Sequence, residues 1–217
     1  MEEIVYRIAV SIPGFLFAIV FHEAAHAYMA LKFGDPTAKL NGRLSLNPAV
    51  HYDLFGTIIL PLIFVIFGAS IFGYAKPVPV DTRNFKNVKK GVFWVSFAGP
   101  LANVLMAIIS SFFMVVVVTK VPPTFGFYKI FADMLQASVM INIVLAVFNL
   151  IPWPPLDGSK MLATFMDYNT ARKYEELQRF SLLFFIILWQ TQILSFFLMP
   201  ALGMANGMIH VFSKILG

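Results

Sequence analysis

The sequence predicts an all-α polytopic membrane protein, with about five to six transmembrane helices and a re-entrant loop or short β segment near residues 57–82. Three observations carry this expectation. Of 217 residues, 59% are hydrophobic and 12% charged, with a mean hydropathy of +0.79, far more apolar than a soluble domain of this length. Apolar windows of spanning length, on the order of 20 residues, recur at 4–31, 92–119, 131–151 and 178–199, with a shorter one at 57–75 and a weaker one at 201–216. The basic residues sit in the short stretches between windows, where they mark a cytoplasmic side. The net charge of +5 therefore implies no nucleic-acid partner. No repeat, low-complexity tract or long hydrophilic insertion interrupts the pattern, so residues 1–217 read as a single membrane-embedded domain.

The first window opens on Glu2 and Glu3 rather than on basic residues, which argues for a retained span and against a cleaved leader. It contains HEAAH at 22–26. Residues four apart on a helix lie one turn above each other on one face, so His22 and His26 can share a metal ion, with Glu23 beside that face. In zinc-binding helices of this spacing the imidazoles hold Zn²⁺ and the glutamate takes a proton from the water that the ion activates. The rival reading is a pair of structural histidines. Burying a charge at mid-bilayer costs at least about 2.5 to 3.5 kcal/mol, which favours a functional role for three polar residues together.

A catalytic zinc takes three protein ligands and leaves one position open. Cysteine is absent, so histidine and carboxylate must supply them. The leading candidate is Asp157 in NLIPWPPLDGSKM (149–161), where Pro152, Pro154 and Pro155 end the preceding span and enforce an extended run. On the residues alone Asp157 is either a ligand or the N-cap of the next helix, with His51 the runner-up ligand.

HExxH in an early span, FAGPLAN (97–103) in a middle one and NxxPxxPLDG in a late one, together with NPAVHYDLFG (47–56) and GYAKPVPV (73–80), resemble the site-2 protease family of intramembrane zinc metalloproteases. The resemblance is to its compact prokaryotic branch, which lacks a PDZ or CBS domain. It implies that His22, His26 and Asp157 hold one Zn²⁺ per chain, that Glu23 is the catalytic base and that Asn149 acts close to the site. It further implies hydrolysis of peptide bonds in or near transmembrane segments of membrane protein substrates, within the lipid bilayer of a prokaryotic cell membrane. A membrane zinc transporter or a metal-binding scaffold is the alternative. Transport predicts ligands spread along a path at several depths, whereas these polar residues gather at one level and include a non-ligand glutamate.

Topology offers a check. If 57–75 were an ordinary crossing, strict alternation would put His22 and Asp157 at opposite membrane faces. If 57–82 instead enters and returns, both motifs lie toward the cytoplasmic side, and 12 of the 16 lysines and arginines fall there. The prolines of GYAKPVPV confine that segment to an edge or extended position. It is then either a rigid surface loop or a surface for β-addition of an unwound substrate, and similarity to the family's membrane-entering β-loop favours the second.

Other polar positions have plainer readings. Gly99 and Ala102 suit close helix packing, and Asn103 suits a hydrogen bond across helices. Asn149 either donates to a developing oxyanion or satisfies backbone freed by the prolines. His51 and Asp53 suit local turn bonding or a shell around the metal. His210, Trp94 and Trp153 suit the membrane interface.

Overall fold

A computed structural model provides the fold and describes residues 2–66, 73–191 and 193–216. The chain begins with the long helix α1 (Glu2–Lys32), followed by two single turns, α2 (Thr37–Leu40) and α3 (Pro48–His51). A π-helical turn at Leu54–Ile59 runs into α4 (Leu60–Ile66). After the return segment come α5 (Val88–Lys120) and α6 (Tyr128–Leu150), then the short α7 (Asp157–Ala163) and α8 (Tyr168–Glu175). A 3-10 turn leads to α9 (Ser181–Gln190), and α10 (Ile193–Leu216) completes the described fold. Among the described residues α1, α5, α6 and α10 are long and apolar enough to cross a membrane.

These helices are apolar on all sides, so contact faces are selected by residue size rather than by polarity. Ala18, Ala27, Ala30 and Ala107 are almost completely buried, whereas Phe17, Leu105, Phe113 and Phe196 face outward. Helices α1, α5 and α6 pack against one another, and α10 lies across α5 and α6. Phe15, Ala18, Ile19 and Val20 of α1 meet Ile141 and Leu145 of α6 in one cluster. Ala107, Val139, Ile143 and Ala205 join α5, α6 and α10 in another.

Polar and aromatic contacts fix which ends lie together. Tyr6 donates to Asp133 at 2.5 Å, and the Lys129 ammonium sits 5.6 Å from the Tyr6 ring centre, so α1 and α6 begin at the same end. Phe112 and Phe212 meet at 5.7 Å, bringing the end of α5 to the end of α10. Arg7, Lys120, Lys129 and Lys214 thus share one end of the bundle, as the re-entrant reading requires.

The stretch predicted to enter and return does so over its described part; residues 67–72 lie outside the described residues. Tyr74 donates its main-chain N–H to Gly56 at 3.0 Å, and Lys76 donates to His51 at 2.9 Å, so the chain is back beside its point of departure. Gly56 and Gly73 make this approach possible. A Cβ on Gly73 would stand 2.3 Å from the Gly56 carbonyl oxygen. The β segment expected at 73–80 has no regular secondary structure among the described residues, although Tyr74, Lys76 and Val78 direct alternate N–H groups inward as an extended chain does. Pro77 and Pro79 lack the donors that a ladder needs.

The windows at 178–199 and 201–216 are divided differently from the expectation. The helix breaks at extended Thr191, and α10 passes through Pro200 without ending. Pro200 is the eighth residue of α10 and lies on its exposed surface.

At the opposite end from Tyr6, fully buried Asp35 ties the end of α1 to the return segment. It accepts from the Thr37 and Asp81 main chain and from the Thr37 and Asn84 side chains. Burial pushes this carboxyl up, but those four donors outweigh it and hold the group below the usual aspartate range. Its contribution to stability is therefore complete above the unfolded pKa, near 4, and is lost as pH falls through the depressed folded value. Thermal melts in detergent from pH 7 to pH 3 are expected to show a loss that Asp35→Asn reduces; identical pH slopes for the two proteins would contradict it.

Candidate metal centre

Two helices supply the three converging side chains. His22 and His26 project from α1 one turn apart, and Asp157 is the first residue of α7. The Nε2 atoms lie 2.9 Å apart, and Asp157 Oδ2 is 3.2 Å from each. All three residues are buried. For a tetrahedral ion with ligands at about 2.0 to 2.2 Å, ligand atoms should be about 3.3 to 3.6 Å apart. The observed triangle is close to that size, with one corner left over.

Hydrogen bonding decides what those atoms carry. His26 Nδ1 is 2.6 Å from the Val95 carbonyl oxygen, which can only accept, so Nδ1 bears the hydrogen. His22 Nδ1 is 2.6 Å from Asn103 Oδ1. That amide is oriented by its own Nδ2, which donates to the Ala18 carbonyl and to Asn142 Oδ1 at 3.0 Å each. Asn142 is oriented in turn by donating to the Ser138 carbonyl at 2.9 Å. Both Asn103 and Asn142 are fully buried. With neutral imidazoles, two Nε2 lone pairs and a carboxylate oxygen therefore converge with no hydrogen between them. A shared cation satisfies all three lone pairs at once, and the donor set suits zinc.

The FAGPLAN stretch does more than pack. Val95, Gly99 and Asn103 recur every four residues on one face of α5: a carbonyl for His26, clearance for the ion and an amide for His22. A Cβ on Gly99 would lie 2.4 Å from His26 Nε2 and 2.6 Å from His22 Nε2. Their four-residue spacing, the same as that of His22 and His26, is the signal in the sequence that could have identified them.

A cavity of about 130 Å³ adjoins the triangle, lined in part by His22, Glu23, Tyr74, Ala75, Asn149 and Leu156. Glu23 Oε2 accepts from the Val78 N–H at 3.0 Å, which links the acid to the return segment. Asn149 donates to the Leu145 carbonyl at 3.0 Å while facing the cavity. Asp157 is not an N-cap: Leu156 holds that position, and the Asp157 carboxylate turns to the imidazoles, with Lys160 at 3.4 Å from its other oxygen. His51 does not join the group; it is fully buried, with Nε2 on the Ser45 carbonyl at 2.8 Å. Asp53 caps the π-helical turn through the Gly56 N–H. His210 is exposed on α10, and Trp153 stacks on Phe184.

Comparison with known proteins gives this centre its context. Over 200 residues the chain is 35% identical to YwhC of Bacillus subtilis (strain 168), which is named as a zinc metalloprotease, and the match covers 91% of this chain and 88% of YwhC. The chain belongs to peptidase family M50. The model of that family matches residues 127–189, which include α6, the proline-rich turn and Asp157. This M50 protein is also 27% identical to Rip2 of Mycolicibacterium smegmatis (strain ATCC 700084 / mc(2)155), over 85% of this chain and 68% of the relative. It is 30% identical to MJ0611 of Methanocaldococcus jannaschii, over 66% and 63% respectively. No solved structure matches it significantly. Its family, spanning helices and histidine–aspartate group make this M50 protein an intramembrane zinc metalloprotease.

Proposed function

We propose that His22, His26 and Asp157 hold the zinc, that Glu23 is the general base, and that the enzyme cuts transmembrane substrates near the cytoplasmic face of a prokaryotic cell membrane. The observation that carries this reading is the convergence of two imidazole Nε2 atoms and one carboxylate oxygen beside a cavity that Glu23 also lines. When bound, zinc supplies Lewis-acid polarisation of the scissile carbonyl and acidifies water to a pKa of about 7. Asn103 and the Val95 carbonyl keep both imidazoles in the tautomer that presents Nε2. Glu23 takes the proton of the attacking water and passes it to the leaving amine nitrogen. Asn149 has two amide hydrogens, of which Leu145 takes one, and the other serves the carbonyl oxygen as charge develops.

An intact helix hides its carbonyls in main-chain hydrogen bonds, so the substrate must unwind locally before it fits. The concentration of basic residues at the end of the bundle nearest the metal centre supports a cytoplasmic orientation. Protein reconstituted in liposomes with a helix-containing peptide tests the reading. A chelator should abolish cleavage, and about one equivalent of zinc should restore it. Cleavage at full rate with no metal bound would refute it.

A further inference from the structure

Asp157 is the ligand that the fold must bring from furthest away in sequence, and its own segment does little to hold it. Residues 151–156 contain three prolines, which lack N–H groups, and main-chain bonds within the run join only Ile151 to Trp153 and Trp153 to Leu156. The helix that follows, α7, packs on α5 and α6, and the turn itself is held further by the chain beyond α7. Tyr174 of α8 donates its hydroxyl to the Pro152 carbonyl at 2.5 Å, and Ser181, at the start of α9, donates to the Pro154 carbonyl at 2.6 Å. Between those carbonyls the Trp153 indole lies flat on the Phe184 ring, 4.3 Å centre to centre and 6° from parallel. One turn further along α9, Leu188 packs with Ile151 and Leu156, the residue directly before the ligand.

We infer that α8 and α9 form a strap across the proline-rich turn, and that Tyr174, Ser181 and Phe184 are positioning residues that hold Asp157 Oδ2 at its place in the zinc site. The inference rests on the reading of Asp157 as the third ligand. None of the three residues faces the cavity, so each acts through the backbone of 152–156. Two hydroxyls pin alternate carbonyls, and one aromatic plane fixes the rotation of the residue between them. A ring stacked at this distance resists sliding poorly but resists lifting well, so the two hydrogen bonds supply the direction that stacking lacks. A shift of α9 of a fraction of an ångström would pass directly to Leu156 and to the carboxylate that follows it.

Metal affinity and metal spectroscopy test this on the full-length protein in detergent. Zinc affinity is measured by competition with a chromophoric chelator, and the Co²⁺-loaded protein reports ligand geometry through its visible absorption. The double variant Ser181→Ala, Phe184→Ala should lose about tenfold or more in zinc affinity, the scale usual for residues that orient metal ligands. Its Co²⁺ spectrum should move toward that of Asp157→Asn, and Phe184→Tyr, which keeps the stacked ring, should behave as wild type. Wild-type affinity and spectrum in the double variant overturn the inference, even if its melting temperature falls. If that variant does not fold, Tyr174→Phe with Ser181→Ala removes only two hydroxyls and decides by the same readouts. A wild-type spectrum and affinity in Asp157→Asn would instead remove the ligand assignment, and the inference with it.

Discussion

Glu23→Gln is expected to keep about one zinc per chain and to lose cleavage by a factor of about 10² to 10⁴, the usual contribution of a positioned general base. Glutamine preserves the size of the side chain and an oxygen for the Val78 N–H at 3.0 Å, so the return segment stays in place. It cannot take up a proton. Metal retention follows because Glu23 is not among the three converging ligands. Metal analysis by mass spectrometry and cleavage of a reconstituted helix check both halves. Residual activity within tenfold of wild type would remove Glu23 from the role of base. Loss of zinc together with activity would make it a structural support of the site. The same variant separates hydrolysis from metal transport, which an uncharged side chain next to the ligands would largely spare.

Gly99→Ala should empty the site. One methyl group would have to stand 2.4 Å from His26 Nε2 and 2.6 Å from His22 Nε2, in the space where the ion belongs. The imidazoles have little room to retreat, since their Nδ1 atoms are committed to Val95 and Asn103 at 2.6 Å each. Zinc content should fall below one tenth of the wild-type value, and cleavage should fall with it. The metal-free protein should lose stability as well: forcing a methyl group against the buried imidazoles costs typically about 1 to 3 kcal/mol, which exceeds the gain of about 0.8 to 1 kcal/mol from alanine as the better helix former, so in chelator the variant should melt below the wild-type temperature. Stoichiometric zinc in Gly99→Ala would mean that the ion sits elsewhere.

The spans were legible because hydrophobic length is a coarse signal and α1, α5 and α6 are separated by charged or proline-containing stretches. The division between α9 and α10 was not, since no charge falls between Arg179 and Lys214 to mark a boundary. Pro200 even suggests a break where the helix continues. At the site, HEAAH reveals itself by spacing within one helix, and Asp157 by its motif. The cross-helix hydrogen bonding of Asn103 was expected and is present, but its partner His22 and the supporting role of Asn142 could not be read in that way. Their meaning depends on which neighbouring carbonyls have no hydrogen to give, and that is a property of three helices in contact rather than of any one stretch. Tyr174, Ser181 and Phe184 are ordinary residues of their helices until the turn they hold is seen beneath them.

Between Pro77 and Pro79 the main chain has one proton to give, that of Val78, and Glu23 has already taken it. A peptide lying along those three residues finds only oxygen lone pairs there. A peptide paired there would need free N–H groups of its own, and one rich in proline or N-methylated at that point would have nothing to offer.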